Sequence, residues 1–144
     1  MKTIIAGDSF TNGFELIQGQ EWWRTVLNGA SAHKDAKVVA KNMDSNEECF
    51  RKICRDIDQF QKVIVMWTFP SRVSFYPTIH LNPHTSYHNP VHSEFRDSFY
   101  TLTSDSHYVH NTWLNVLALQ SICEARGVDY WFTTSTSELF RIND

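Results

Sequence analysis

The chain has 144 residues, 42% of them hydrophobic, 20% charged and 14% aromatic, with only five Gly and four Pro. A chain of this length and composition is expected to form one domain with its own core, not a disordered, collagenous or linker-rich protein. Thirteen Lys and Arg against sixteen Asp and Glu give a net charge of −3, which argues against a nucleic-acid partner held by charge alone.

In chain order, Lys2–Ala6 (KTIIA) is a short apolar run closed by Gly7, the pattern of a buried strand. Over Glu21–Leu27, Trp22, Trp23, Val26 and Leu27 share one helical face, and Asn28-Gly29 ends the segment. Lys37–Ala40 (KVVA) is a second short strand. Ser45-Asn46-Glu47-Glu48 is the clearest helix start in the chain. The Ser45 hydroxyl is predicted to cap the Glu48 amide while the Glu48 carboxylate returns to the Ser45 amide. Behind it Cys49, Phe50, Ile53, Ile57 and Phe60 form one apolar stripe. Val63–Trp67 (VIVMW) is an uninterrupted apolar run, as in a central parallel strand covered on both faces.

Residues 69–110 break the alternation. They hold all four prolines and six of the seven histidines, and the expectation is a long excursion with a short helix near Glu94–Leu102. Regularity returns at Asn111–Ala125, where Trp113, Val116, Leu117, Leu119, Ile122 and Cys123 predict a helix rich in core residues with Gly127 as its C-cap. Asp129–Thr134 (DYWFTT) is the last strand. Strands alternating with helices predict an α/β fold, a central and mostly parallel sheet of about four to five strands between helical layers. Single-domain organisation over 1–144 is expected, as is a setting without membrane attachment: no apolar run approaches the ~20 residues of a span, and the N-terminus lacks a signal-peptide core. Cys49, Cys54 and Cys123, an odd number without a CxxC pair, suggest reduced thiols in a cytoplasmic compartment.

Ligands in such sheets sit beyond the carboxyl ends of the strands. Gly7-Asp8-Ser9-Phe10-Thr11-Asn12-Gly13 reaches that edge first. A serine just past a buried strand, beside a glycine, is well placed as a nucleophile, which makes Ser9 and Asp8 the candidate catalytic residues. The same two residues would also serve as helix caps. The spacing matches neither a dinucleotide fingerprint nor a phosphate loop, and no cofactor is implied.

Gly7-Asp8-Ser9-Phe10-Thr11 followed by Gly13 resembles the first block of the SGNH (GDSL-type) hydrolases, esterases and lipases of flavodoxin-like fold. Ala40–Asn46 before a helix resembles the second block. Val63–Arg72 (VIVMWTFPSR) is similar to the third-block strand and loop of a subgroup associated with tailed-phage genomes. The late helix and strand fit as well, so the resemblance runs over nearly the whole chain.

This likeness implies a flavodoxin-like three-layer fold and a serine esterase acting on a small-molecule or glycan ester. Ser9 would be the nucleophile and its amide one oxyanion donor. The family's second donor, a glycine amide, falls near Met43 or Asp44. In place of the third-block Asn the chain offers Thr68 and Ser71, with Asn46 a further candidate donor or simply a helix-start residue. Arg72 is read as binding an anionic substrate group or, the ordinary outcome, pairing on the surface.

Block five, DxxH, is not found: no Asp is followed three residues later by His. A serine without a base is a poor nucleophile. The dyad has been lost, the chain is a shortened version of a longer one, or a histidine of the excursion substitutes, with His107 and His110 as candidate bases. His80, His84, His88 and His92 recur every four residues, but Pro83 and Pro90 interrupt any helix that would align them on a metal, and no metal site is assigned. Trp22, Trp23 and Trp113 are expected in the core, Trp67 in the core or walling the site, and the Tyr76–Tyr87 aromatics on a carbohydrate or on the domain. Two functions follow. One is an esterase working through Ser9, acting on an O-acetyl group of a glycan for example. The other is a phage-encoded binding or structural module of the same fold without turnover, in the host cytoplasm or the virion.

Overall fold

The computed structural model describes residues 1–8, 11, 22–23, 35–41, 44–75, 79–81 and 90–136. Strand β1 is Thr3–Ala6, β2 Ala36–Val38, helix α1 Asn46–Asp56 with a 3-10 turn at Ile57–Gln59, and β3 Lys62–Trp67. A hairpin of β4 (Val73–Phe75) and β5 (Ile79–Leu81) follows. The chain then forms α2 (Pro90–Leu102), α3 (Asp105–Arg126) and β6 (Asp129–Thr134).

The four long-range strands pair in the order β2-β1-β3-β6, every pair parallel. The apolar runs explain why β1 and β3 take the centre. Ile4, Ala6, Val63, Val65 and Trp67 face one side, where Cys49, Ile53 and Ile57 around α1 and Leu119 and Cys123 of α3 close over them. Ile5 and Ile64 face the other side, against Trp23 with Trp22 and Ala36 around it. Both faces of the central strands are therefore dry, which is what an unbroken apolar run encodes. β1 continues to β2 on one flank, while β3 leads on to β6 on the other. The order reverses between β1 and β3, and this opens a crevice at their carboxyl ends.

The Ser45 cap forms as expected: Ser45 Oγ accepts from the Glu48 amide at 3.2 Å. The Glu48 carboxylate turns instead to Arg51, at 2.7 Å, because a neighbouring guanidinium outcompetes a neutral amide. Gly127 caps α3 in the left-handed region, φ 62°, where a residue with a Cβ is strained.

Three expectations change. The 69–110 excursion is not irregular throughout: it contains the β4–β5 hairpin and a helix longer than Glu94–Leu102. α3 begins six residues before Asn111, capped by Ser104, whose Oγ accepts from the His107 amide at 3.4 Å. Its first two turns carry only Tyr108 and Val109 as apolar residues, too few to show a helical stripe. On α3, Leu117 is exposed and Trp113 half-buried, so the helix packs with fewer core residues than its composition suggests. Trp67 belongs to the core, edge-on to Phe132 at 5.6 Å between ring centroids. Of the Glu21–Leu27 helix, Trp22 and Trp23 are described and are helical; its other residues lie outside the described ones. No helix among the described residues is long and apolar enough to cross a membrane.

Candidate functional site

The end of β1 is shaped by volume. A Cβ on Gly7 would lie 2.0 Å from Thr11 Oγ1 and 2.7 Å from Thr11 Cβ, so only glycine fits over this threonine. Thr11 is fully buried and held from three sides. Its amide donates to the Asp8 carbonyl at 3.1 Å, its carbonyl accepts from Trp23 Nε1 at 3.1 Å, and its hydroxyl accepts from Trp22 Nε1 at 3.3 Å. The two tryptophans thus hold Thr11 in place as well as covering the sheet.

Asp8 is the charged centre of the crevice, with a side chain 0% exposed. Its Oδ2 accepts from Thr68 Oγ1 at 2.6 Å and from Arg72 Nη1 at 2.7 Å, both from the segment beyond β3. Arg72 is only 11% exposed, and its guanidinium lies over the Phe69 ring, 5.3 Å from the centroid. The expected surface pair for Arg72 is therefore replaced by a buried one, because the β3–β4 loop folds back over the carboxyl end of β1. A buried carboxylate is stable only with such partners.

Asn46, at the first turn of α1, ties this end of β3 to α3. Its Oδ1 accepts from the Thr68 amide at 2.7 Å. Its Nδ2 donates to the Thr68 carbonyl at 3.0 Å and to Thr112 Oγ1 at 3.1 Å. Both amide hydrogens are engaged within the protein, so Asn46 acts as a clamp on the Thr68 peptide. The Thr68 hydroxyl is likewise engaged, on Asp8.

Asp44 sits apart from this knot. Its carboxylate accepts from Lys52 Nζ at 2.5 Å and from the Lys41 amide at 2.8 Å, and its own amide donates to the Lys41 carbonyl at 3.3 Å. Burial pushes the Asp44 carboxyl above its ordinary range, against the opposing pull of Lys52. Ser71 presents its carbonyl to Tyr100 Oη at 2.5 Å. Cys49, Cys54 and Cys123 are free thiols. Burial pushes all three up, Cys123 to about 11, away from the thiolate form.

Beside the knot opens a cleft of about 330 Å³, walled by Asn46 and Glu47 of α1, by Pro70, Arg72 and Val73, and by α3. The α3 wall, Tyr108, Asn111, Thr112 and Asn115 among it, escaped the sequence reading. These residues recur at three- and four-residue steps, a polar stripe legible once the helix is known to start at Asp105. His107 and His110 are exposed on α3 and do not line the cleft; His107 Nε2 meets Asn111 Nδ2 at 2.9 Å. The structure therefore brings together Asp8, Asn46, Thr68 and Arg72, and leaves Asp44, His107 and His110 outside the group. Ser9, Met43 and the Tyr76–Tyr87 aromatics lie outside the described residues, as do His84, His88 and the side chains of His80 and His92. Among the described residues no group of three or more His, Cys, Asp or Glu could hold a metal ion.

No protein-family model and no curated protein sequence matches the chain. Among solved structures, its fold is similar to that of the psychrotrophic esterase EstA from Pseudoalteromonas sp., in a crystal structure inhibited by monoethylphosphonate, with a TM-score of 0.51. Sequence identity is 12% over 92% of this chain and 58% of that one, so the chain spans less than two thirds of the esterase. The likeness establishes the α/β fold: a four-stranded parallel sheet flanked by helices, shared with an esterase.

Proposed function

We propose that the chain is a serine ester hydrolase acting through Ser9. The observation that carries this reading is the buried anchoring of Asp8, the residue immediately before Ser9, by Thr68 and Arg72 at the reversal of strand order. A site of this kind requires its nucleophile on a rigid backbone, and Gly7, Asp8 and Thr11 are each fixed by contacts from other elements. Ser9 Oγ attacks the ester carbonyl carbon, the alcohol departs with a proton, and water then releases the acid from the acyl-serine. The Ser9 amide is assigned as an oxyanion donor.

A base must come within about 2.6–3.2 Å of the Ser9 hydroxyl. His107 and His110 remain the candidates for that role, with the other histidines of the 69–110 excursion beside them. The cleft supports a polyhydroxylated acyl carrier such as an O-acetylated glycan, since the Asn111 and Asn115 carboxamides line it beside Tyr108. Hydrolysis of a short-chain aryl ester tests the reading. The wild-type chain is expected to turn over and Ser9→Ala to lose at least a hundredfold; equal rates for the two would overturn it.

A second reading, a binding module of this fold without turnover, draws on one observation. The Asn46 amide hydrogens and the Thr68 hydroxyl, both candidate oxyanion donors, are engaged inside the protein. Under this reading Ser9→Ala leaves the affinity for an acetylated glycan unchanged, and no ester is cleaved.

A further inference from the structure

We propose that Thr112 is a positioning residue for the reaction at Ser9, acting through Asn46 and Thr68 on Asp8; this rests on the reading of Ser9 as the nucleophile. A continuous run of hydrogen bonds leads from the cleft wall to the residue before Ser9. Thr112 Oγ1 accepts from Asn46 Nδ2 at 3.1 Å. The Asn46 carboxamide grips the Thr68 peptide at both ends, accepting from its amide at 2.7 Å and donating to its carbonyl at 3.0 Å. The Thr68 hydroxyl then donates to Asp8 Oδ2 at 2.6 Å. Thr112, Asn46, Thr68 and Asp8 are each no more than 3% exposed, so bulk water does not compete for these bonds.

Thr112 stands where packing alone would favour an apolar residue. It lies seven positions before Leu119 and eleven before Cys123, on the stripe of α3 that closes over β1 and β3. Valine has nearly the same shape and would bury there with no polar atom to match. The hydroxyl instead fixes how the Asn46 carboxamide is turned, because it accepts from Nδ2. Without that oxygen, an Asn46 N–H is left buried against a methyl group. The carboxamide then tilts, and the Thr68 peptide and hydroxyl that it holds move with it. Thr112 also lines the cleft, so one side chain meets both the ligand space and the network behind it. A misplaced nucleophile costs rate even when the substitution is remote from the chemistry.

Two variants separate the hydroxyl of Thr112 from its methyl group. Thr112→Val keeps the shape and loses the acceptor, whereas Thr112→Ser keeps the acceptor and loses a buried methyl. Each is compared with the wild-type chain in three measurements. These are the rate constant for phosphonylation of Ser9 by an alkyl fluorophosphonate, kcat and KM for a short-chain aryl ester, and the urea midpoint.

Thr112→Val is expected to lower the phosphonylation rate and kcat ~10-fold, with KM within about twofold of wild type. Thr112→Ser is expected to keep the wild-type rates even though its urea midpoint falls. If Thr112→Val does not fold, Thr112→Ala, which also lacks the acceptor, takes its place against Thr112→Ser. Rates that Thr112→Val leaves unchanged, or that follow the urea midpoint in both variants, would overturn the positioning role alone, provided the wild type is labelled at Ser9. A wild-type chain that is not labelled there would overturn the Ser9 reading and this role with it.

Discussion

The crevice between β1 and β3 and the outer edge of β6 lie in the same sheet but treat polar groups in opposite ways. In the crevice the Asp8 carboxylate is matched from residues 60 and 64 positions away, and the Asn46 carboxamide from 22 and 66 positions away. At β6, the last strand in the sheet order among the described residues, the side chains of Tyr130 and Trp131 stand partly in water. The difference shows where this fold is locked and where it is open. Polar groups that converge from three elements inside a dry interior must be matched or they destabilise it, so they hold geometry. Groups at a wet edge have water as a partner, so they hold geometry less tightly.

Substitutions in the crevice should therefore be far more damaging than those at the edge. The largest effect is expected from Arg72→Leu, which takes the cationic partner Arg72 away from the buried Asp8 carboxylate. A loss of about 3–5 kcal/mol is expected from a broken buried pair, read as a lower urea midpoint. Replacing Asp8 and Arg72 together by apolar residues should recover part of that loss. Asn46→Ala comes next: it strips partners from the Thr68 amide and carbonyl and from Thr112, with an expected loss of ~2–3 kcal/mol in the same measurement.

Smaller again is an effect of acid. Hydrogen bonds from Arg55 and Lys37 lower the Asp56 carboxyl from 3.8 to about 2. A carboxylate held lower in the folded than in the unfolded chain stabilises the fold above its ordinary value and stops doing so as pH falls through its folded one. The melting temperature of the wild type should therefore drop from pH 4 toward pH 2, and that of Asp56→Asn should fall less steeply. At the edge, Tyr130→Phe loses only an exposed bond to Glu124, and stability should stay within about 0.5 kcal/mol. A larger loss there than at Asn46 would break the comparison.

The sheet was legible in the sequence because its strands are short apolar runs with little else to be: KTIIA, VIVMW and DYWFTT fall on β1, β3 and β6 within a residue. The helix at Ser45 was legible for a local reason, a cap followed by one apolar stripe. The start of α3 was not, since a polar first turn capped by Ser104 has no periodicity to read. Of the candidate site, the turn after β1 and the loop after β3 are visible as motifs. Their joining is not, because the Asp8–Arg72 pair depends on the loop folding back over β1, a tertiary event. Nor could spacing reveal that Asn46 clamps a backbone peptide or that Thr11 underlies Gly7. The wall of Tyr108, Asn111, Thr112 and Asn115 was lost together with the first turns of α3.

The central claim is that Ser9 is an activated nucleophile. It is tested most directly by incubating the chain with an alkyl fluorophosphonate and mapping the adduct by peptide mass spectrometry. The account predicts a single phosphonylated residue, Ser9, and no adduct on Ser9→Ala. An unmodified wild-type chain, or labelling that persists in Ser9→Ala, would contradict it.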